Sequence, residues 1–266
     1  MVEINSEMRL NSIERCKNHR LRLLDISQNV TALHLGGAFS CIELIDFIYY
    51  ELLTENDIFL LSKGHAGIAQ YVVLESLGII DKSELDNYLS PRSLLGVHPT
   101  EAIPGIYFGT GSLGHGLNIG LGAAIIRKKK NGNVYVLISD GELQEGSTWE
   151  GIINAPALNL ENLTLIIDFN DFQSLGRTSE THPNLLNMAN KFFEFGWQAH
   201  EINGHFFNEI SNAFYSKSSL PKAIIANTTK GKGVTYMENM PIWHYRSPNE
   251  AEYKIAIQEV TRGFRE

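Results

Sequence analysis

Two apolar segments joined by one helical segment constrain the fold of this chain more than any other feature. Residues 134–138 and 163–168 are rich in β-branched and aliphatic side chains, which predicts two buried strands, and residues 148–158 are predicted to form a helix. Strand–helix–strand units of this kind are typical of a parallel sheet. Because helical and extended patterns alternate along most of the chain, we expect an α/β fold with a doubly wound, mostly parallel sheet and helices on both faces.

Two oxygen-bearing side chains follow these strands. Asp140 comes at the end of the first strand, and Asn170 lies just past the end of the second. Open α/β sheets bind ligands outside the carboxyl ends of their strands, so we expect the two side chains to share a site. A carboxylate, an amide and a carbonyl from the following loop suit Mg²⁺, which leaves positions for phosphate and water. For these two residues alone, an ordinary strand–helix–strand unit with a solvent-facing Asp140 is the plain alternative.

Further strands and helices are predicted on both sides of this unit. The predicted strands are 59–61, 197–202 and 223–226, and the predicted helices are 5–25, 41–52, 66–77, 117–130, 185–195 and 207–216. Ser40 is predicted to cap the helix that follows it. Residues 1–266 contain no repeat and no Gly/Pro/Ser-rich linker, so we expect a single domain with a tail from about residue 230.

Composition excludes several classes of protein. The net charge of −8 disfavours a nucleic-acid partner. No segment reaches the ~18 apolar residues of a membrane span, and the acidic start lacks the apolar region of a secretory signal. With only two cysteines, we expect a cytoplasmic protein without disulfides.

Histidines and glycines mark the predicted turns. His34 precedes a pair of glycines, 36–37, which suggests a backbone crowded against another group. His65 follows a predicted strand and precedes a predicted helix, where backbone amides and the helix dipole favour an anion. The glycines of segment 110–116 allow the chain to lie against a ligand, and a further histidine, His244, occurs in the predicted tail.

These motifs together resemble the transketolase family of thiamine-diphosphate-dependent enzymes. The resemblance extends from about residue 10 to residue 250, and five separated motifs occur in the order typical of the family. They are Ser-Lys-Gly-His-Ala (62–66), Gly-Val-His-Pro (96–99), Thr-Gly-Ser-Leu-Gly-His-Gly (110–116), Asp-Gly-Glu-Leu-Gln-Glu-Gly-Ser-Thr-Trp-Glu with the later Asn (140–150 and 170), and Thr-Lys-Gly-Lys-Gly with Trp-His (229–233 and 243–244).

The resemblance implies a set of site residues. The cofactors are thiamine diphosphate and Mg²⁺, for which Ca²⁺ or Mn²⁺ can substitute, and the implied metal ligands are Asp140, Asn170 and the carbonyl of Phe172. The implied cofactor-binding residues are His65, Gly111, Ser112, Leu113, Gly141, Glu142, Asn170 and His244. The implied catalytic residues are His34, His98 and His244, which handle protons, and Glu145, which matches the family's buried glutamate at the subunit junction.

The resemblance covers only the diphosphate-binding part of the family. A full transketolase has a second domain that binds the aminopyrimidine and supplies the activating glutamate, and this chain has no room for it. We therefore expect the N-terminal subunit of a split transketolase, which is inert until it forms an α2β2 heterotetramer with a C-terminal subunit. The implied reaction moves a two-carbon ketol unit from a ketose to an aldehyde.

Four residues depart from the usual family pattern and keep alternatives open. Ser139 is unusual for the family. The family usually has Gln where this chain has His115, Asp where it has Leu175, and Gly where it has Tyr245. One alternative is an acyl or ketol transferase of secondary metabolism that acts on an unusual sugar or acceptor. The other is a non-catalytic scaffolding subunit, against which the presence of the histidine and metal-site residues argues. The sequence leaves the donor, the acceptor and the identity of the partner chain open.

Overall fold

A five-stranded parallel sheet forms the centre of the molecule. The computed structural model describes residues 6–173 and 176–263. The strands are β1 (Ile58–Leu61), β2 (Val134–Ser139), β3 (Leu163–Phe169), β4 (Phe172–Gln173), β5 (Gly176–Arg177), β6 (Gln198–Asn203) and β7 (Lys222–Asn227). The main sheet has the order β1-β2-β3-β7-β6 with every pair parallel, and β4 pairs with β5 in a small antiparallel sheet. The predicted parallel α/β fold is confirmed. Both ends of each predicted strand lie within one residue of the ends of an observed strand.

Ten α-helices accompany the sheet in the described residues. They are α1 (Ser6–Ser27), α2 (Leu35–Phe47), α3 (Gly67–Ser76), α4 (Lys82–Asp86), α5 (Gly116–Lys128), α6 (Gly146–Ala157), α7 (Thr178–Thr181), α8 (Met188–Glu194), α9 (Phe207–Tyr215) and α10 (Glu250–Arg262). A short π-helical turn, Ile48–Leu52, continues α2.

Helices cover both faces of the sheet because neighbouring strand residues point to opposite sides. On β2, Val134 and Val136 pack in an apolar core with side chains of α5, α6 and α8. Tyr135 and Leu137 of the same strand pack in a second core with α1, α2, α3, α9 and α10. Both faces of the strand are therefore buried, as the continuous apolar run in the sequence predicts.

Two local predictions for the helices are wrong. Ser40 does not cap α2, because that helix begins at Leu35 and places Ser40 inside it, where its hydroxyl donates to Asp168 Oδ2 at 2.6 Å. The predicted helix 185–195 is also divided. Asn187 adopts a left-handed conformation (φ 58°), and α8 begins only after it.

The C-terminal part is more regular than the predicted tail. Pro241–His244 form a 3₁₀ turn, and α10 begins at a capping box in which Asn249 and Glu252 exchange hydrogen bonds. Ala256 and Val260 of α10 are buried in the core that contains α1. The single-domain boundary, 1–266, stays a prediction.

None of the helices in the described ranges is both long and apolar enough to cross a bilayer. Cys16 and Cys41 are buried and unpaired with each other.

Candidate functional site

The ends of β2 and β3 bring the two predicted metal ligands to one edge of the sheet. The register pairs Ser139 with Asp168, so Asp140 lies one residue, and Asn170 two residues, beyond this pair. Both side chains are buried. Asp140 accepts hydrogen bonds from the hydroxyl of Thr178 at 3.0 Å and from the N–H of Gly141 at 2.9 Å. The parallel register therefore brings both residues to the predicted edge of the sheet, and their shared role as metal ligands stays a prediction.

The amide of Asn170 is held from both sides. Its Oδ1 accepts from the N–H of Phe172 at 3.0 Å, while its Nδ2 donates to Asp168 Oδ2 at 3.0 Å. A carboxylate accepts hydrogen bonds and cannot donate them, so Asp168 fixes which end of the amide carries the oxygen. Asp168 is fully buried and also accepts from Ser40, Thr228 and Lys63. No sequence motif marks Asp168 for this role.

The carboxylates at this edge have opposite electrostatic surroundings. Burial and the neighbouring charge of Asp168 raise the pKa of Asp140 to about 7. Burial also disfavours the charged form of Asp168, but the ammonium of Lys63 outweighs it and lowers the pKa of that carboxyl. Burial alone would lower the pKa of Lys63, whereas the carboxylate of Asp168 raises it. Lys63 and Asp168 thus form a buried ion pair, whereas Asp140 has no ion-pair partner in residues 6–173 and 176–263, although the charge of Lys63 partly opposes the rise of its pKa.

A cavity of about 170 Å³ opens beside these residues. Its wall includes seven of the predicted site residues, namely His65, Leu113, Gly141, Glu145, Asn170, Phe172 and His244. Gly37, Lys63, Ser139, Gln144, Gln173 and Lys230 complete the wall. The cavity therefore gathers segments that are far apart in the sequence, from the first turn of α2 to the 3₁₀ turn before α10.

Glu142, a predicted cofactor-binding residue, lies beneath this cavity. Its carboxylate accepts from the hydroxyl of Ser62, from the N–H of Gly114 at 3.1 Å and from the N–H of Ser139 at 2.9 Å. Burial raises the pKa of Glu142, although these hydrogen bonds oppose the effect. In this arrangement Glu142 ties the glycine-rich segment 110–116 to the end of β2. Direct contact with a cofactor stays a prediction.

His98 and Gly111 lie against each other next to the cavity wall. Gly111 has φ +149°, and a Cβ atom there would approach the ring of His98 to 3.2 Å. A side chain at this position would be strained by the backbone and crowded by the ring. Ser112 is exposed in the same segment, and Glu145 is exposed at the start of α6. Their predicted roles are untested by these contacts.

Three imidazoles form a cluster, and two of them, His65 and His244, line the cavity. The ring centroids are 5.6 Å apart for His34 and His65, 5.4 Å for His34 and His244, and 5.7 Å for His65 and His244. The ring of Tyr245 lies 4.6 Å from that of His34, and Tyr245 is 58% exposed. The Nζ atom of Lys230 lies 2.7 Å from Nδ1 of His244.

These imidazoles are kept neutral by their surroundings. Burial, then the charge of His98 and of the nearby lysines, lowers the pKa of His34 to about 4. Burial followed by Lys230 lowers the pKa of His244 to about 3, and burial followed by Lys63 lowers the pKa of His65 well below its ordinary range. At pH near 7 the cluster therefore offers neutral ring nitrogens that can donate or accept hydrogen bonds.

Two buried lysines at the cavity were not among the predicted site residues. Lys63 and Lys230 are each 1% exposed, and both line the cavity. Each lies inside a recognised motif, 62–66 and 229–233, and a lysine among glycines and turn residues was the signal that could have found them. Leu175, singled out as a departure from the family pattern, lies outside the described residues.

The residues at the cavity fit a diphosphate held through a metal ion. Asp140 is a buried carboxylate whose pKa is raised to about 7 by burial and by the charge of Asp168, so a bound cation would stabilise its charged form. Gln144, in the cavity wall, has an Nε2 group without a hydrogen-bond partner among the described residues. No group of three His, Cys, Asp or Glu side chains in residues 6–173 and 176–263 can hold a metal. A site here would therefore use one carboxylate with amide and carbonyl oxygens, which is a suitable set for Mg²⁺.

Comparisons with known proteins agree with this geometry. The family described as "Transketolase, thiamine diphosphate binding domain" matches residues 17–258. One subunit of the apulose-4-phosphate transketolase of Phocaeicola vulgatus is 37% identical over 269 residues, covering 96% of this chain and 95% of that protein. The transketolase of Homo sapiens is 34% identical over 262 residues, covering 91% of this chain but 41% of that protein.

A solved structure shows the same architecture. The transketolase of Campylobacter jejuni superposes with a TM-score of 0.87 at 28% sequence identity, and the match covers 94% of this chain. This chain spans 42% of the length of that protein. The family match covers most of the sequence, and the strand order and the motifs fall within it. The chain therefore belongs to the transketolase family and contains the thiamine-diphosphate-binding domain of that family.

Proposed function

We propose that this chain is the thiamine-diphosphate-binding subunit of a two-chain transketolase. The observation that carries the proposal is one of length. The chain spans 95% of a relative that is named as one subunit of a transketolase, but only 41% of a full-length transketolase. In this proposal a second chain supplies the remaining part of the active site, because that relative is named as one subunit of a transketolase. We expect the two chains to assemble as an α2β2 heterotetramer in the cytoplasm.

The acidic edge of the cavity holds the metal and the diphosphate in this proposal. Asp140, Asn170 and the carbonyl of Phe172 would bind Mg²⁺, and His65, Leu113 and Gly141 would bind the diphosphate. Two observations support this assignment. The pKa of the buried Asp140 carboxyl is raised, and hydrogen bonds to Asp168 and Phe172 fix the orientation of the Asn170 amide. Gly111, Ser112 and Glu142 belong to the segments that shape this end.

The imidazole side of the cavity handles protons. Bound thiamine diphosphate supplies the electron sink through which a ketose loses, and an aldehyde gains, a two-carbon unit. His34 and His244 are neutral near pH 7, so each can donate a hydrogen bond to a substrate oxygen, and His34 can accept a proton on its second ring nitrogen. His98, beside Gly111, is assigned the same kind of role at the channel. Glu145 is exposed at the cavity wall, where the partner subunit can reach it.

The aromatic side chain of Tyr245 favours one refinement of the substrate. Its ring lies beside His34 and takes space that a glycine would leave open. We therefore propose ketol transfer with a donor or acceptor that differs from those of housekeeping transketolases, as in the relative that acts on apulose 4-phosphate. Tyr245→Gly would widen this corner and should extend the range of accepted aldehydes.

The test is reconstitution. The chain is purified with and without its partner subunit, then incubated with thiamine diphosphate, Mg²⁺, a ketose phosphate and an aldehyde, and the products are identified by mass spectrometry. The expected result is a ketose that has two carbons more than the added aldehyde and that forms only when both subunits are present. An acyl product in place of the ketose would assign a different transfer reaction. Lack of cofactor binding by the mixed subunits, measured by calorimetry, would favour a scaffolding role.

A further inference from the structure

The hydrogen bond between Lys230 and His244 determines which nitrogen of the imidazole carries its proton. Nζ of Lys230 lies 2.7 Å from Nδ1 of His244. An ammonium has three N–H donors and no acceptor, so Nδ1 must present its lone pair to the lysine. The remaining ring nitrogen, Nε2, then carries the proton of the neutral imidazole. We infer that Lys230 is a positioning residue that holds His244 as the neutral tautomer with its proton on Nε2.

The reverse arrangement would need a neutral lysine that accepts from a protonated Nδ1. Burial, then the charge of Lys63, lowers the pKa of Lys230 to about 8, while Asp140 and Asp168 oppose the shift. The ammonium is therefore the main form of Lys230 near pH 7. The titratable groups that face His244 are Lys230, His34, Lys63 and His65, whose ring centroid lies 5.7 Å away. Burial, then Lys230, His34 and Lys63, lowers the pKa of His244, so the imidazole stays neutral.

Backbone hydrogen bonds and close packing restrain Lys230. The backbone carbonyl of Lys230 accepts from the N–H of Asn239 at 2.9 Å, and the next residue, Gly231, donates its N–H to the carbonyl of Gly36 at 3.0 Å. A Cβ atom on Gly36 would lie 3.1 Å from Cγ of Lys230 and 2.8 Å from the carbonyl oxygen of Trp243. The crowding predicted from the paired glycines is thus confirmed at Gly36. The contact restrains the lysine arm and the His244 segment against the first turn of α2.

This inference rests on the proposed function for the use of the donor, but not for the tautomer, which is a property of the chain alone. A neutral imidazole whose proton is fixed on Nε2 can donate to a substrate oxygen without a prior tautomer exchange. Lys230 therefore gives His244 a defined direction of donation within the cluster.

The experiment is nitrogen-15 NMR of the imidazoles in the full chain without cofactor. His244→Asn identifies the His244 signals. Wild-type His244 should show an unprotonated Nδ1 and a protonated Nε2 at neutral pH. In Lys230→Met the ammonium is lost, so the Nδ1 signal should move. The pH at which His244 gains a second proton should rise by about 1–3 units, the usual effect of removing a close like charge.

Lys232→Met is the matched control. Lys232 lies two residues further along the same segment, and its Nζ is 3.7 Å from Glu238 rather than next to an imidazole. Its loss should leave the His244 signals and their titration unchanged. A wild-type chain with the proton on Nδ1 of neutral His244 would overturn the inference without any variant. Equal His244 titrations in Lys230→Met and wild type would also overturn it. Neither result would touch the proposed transfer reaction.

Discussion

The two sides of the cavity are built in different ways. The acidic side comes from β2 and β3, where one parallel register places Asp140 and Asn170 at the same edge. The imidazole side comes from three turns, with His34 before α2, His65 after β1 and His244 at the end of a 3₁₀ turn. Regular backbone hydrogen bonds position the first side, whereas side-chain contacts between distant segments position the second.

The electrostatic surroundings of Asp140 and His244 also differ. On the acidic side, burial and Asp168 raise the pKa of Asp140 to about 7, so this group gains from a nearby cation. On the imidazole side, burial with Lys230 and Lys63 lowers the pKa of His244 to about 3, so the ring stays neutral. This contrast is consistent with the proposal that a metal binds near Asp140, while the imidazoles stay neutral and available for hydrogen bonds.

The largest expected effect tests the acidic side. Asp140→Ala removes the one buried carboxylate assigned to the metal, and we expect Mg²⁺-dependent binding of thiamine diphosphate to weaken by more than about 100-fold, beyond the usual effect of changing an outer-shell partner. Calorimetry of the mixed subunits with and without Mg²⁺ measures the loss. Glu161→Ala, an exposed acid just before the amino end of β3, is the control and should bind normally. Normal cofactor binding by the Asp140 variant would refute the metal assignment.

The next effect tests the imidazole side. His34→Ala should reduce kcat by about 10²–10⁴, the range for loss of a group that transfers protons. Cofactor affinity should change little, because His34 is not among the residues assigned to the metal or to the diphosphate. Turnover and thiamine diphosphate affinity are measured on the reconstituted enzyme. His182→Ala, at an exposed position, should be neutral for both. If the His34 variant turned over normally, the residue would leave the list of catalytic groups.

Asp168→Asn tests whether the amide of Asn170 needs its orienting carboxylate. Loss of an outer-shell partner typically weakens metal binding by about 10–100-fold. The change also leaves the buried ammonium of Lys63 unpaired, which should destabilise the fold by about 3–5 kcal/mol. In the double variant with Lys63→Met, stability should recover while Mg²⁺ affinity should not. Recovery of both would show that Asp168 acts only through the ion pair.

The smallest expected effect is on the pH dependence of stability. His34 and Asp140 should change the free energy of unfolding with pH in opposite directions. The pKa of His34 is lowered to about 4, so between about pH 4 and 6.5 the unfolded chain binds more protons than the folded one. Stability from this group is therefore lost as the pH falls. Asp140, with a pKa raised to about 7, acts in reverse, because its folded form binds more protons over about pH 4–7.

Variants on each side separate these contributions. We compare the change in Tm from about pH 7 to about pH 5 in the metal-free chain, where shifts of a few degrees are expected. His34→Asn should reduce the loss of Tm on acidification, and Asp140→Asn should increase it. Changes of the same sign in both variants would contradict the electrostatic difference between the two sides.

The acidic side could be predicted from the sequence because sheet geometry links spacing to position. Two apolar strands with a crossover require parallel pairing, and parallel pairing brings Asp140 and Asn170 together. The role of Asp168 could not be predicted, because an acidic residue at the end of an apolar run carries no sign of the four donors around it. The orientation of Asn170 depends on those donors.

The imidazole side could be predicted only through family resemblance. No local pattern links His34 to His244 across so long a stretch of chain, and the contact depends on how the segment after β7 folds back on α2. The role of Lys230 follows from a distance that periodicity does not encode. The Ser40 cap failed for a related reason, since tertiary contact with Asp168 draws that hydroxyl into the core.

The position of the metal is the most direct test of the proposed site. Crystals of the two-chain enzyme with thiamine diphosphate and Mn²⁺ in place of Mg²⁺ allow the ion to be located by its anomalous scattering. We predict one strong peak for each copy of this chain, within coordination distance of the Asp140 carboxylate, Asn170 Oδ1 and the Phe172 carbonyl. A peak elsewhere in the cavity, or a cofactor bound with no metal at the ends of β2 and β3, would contradict it.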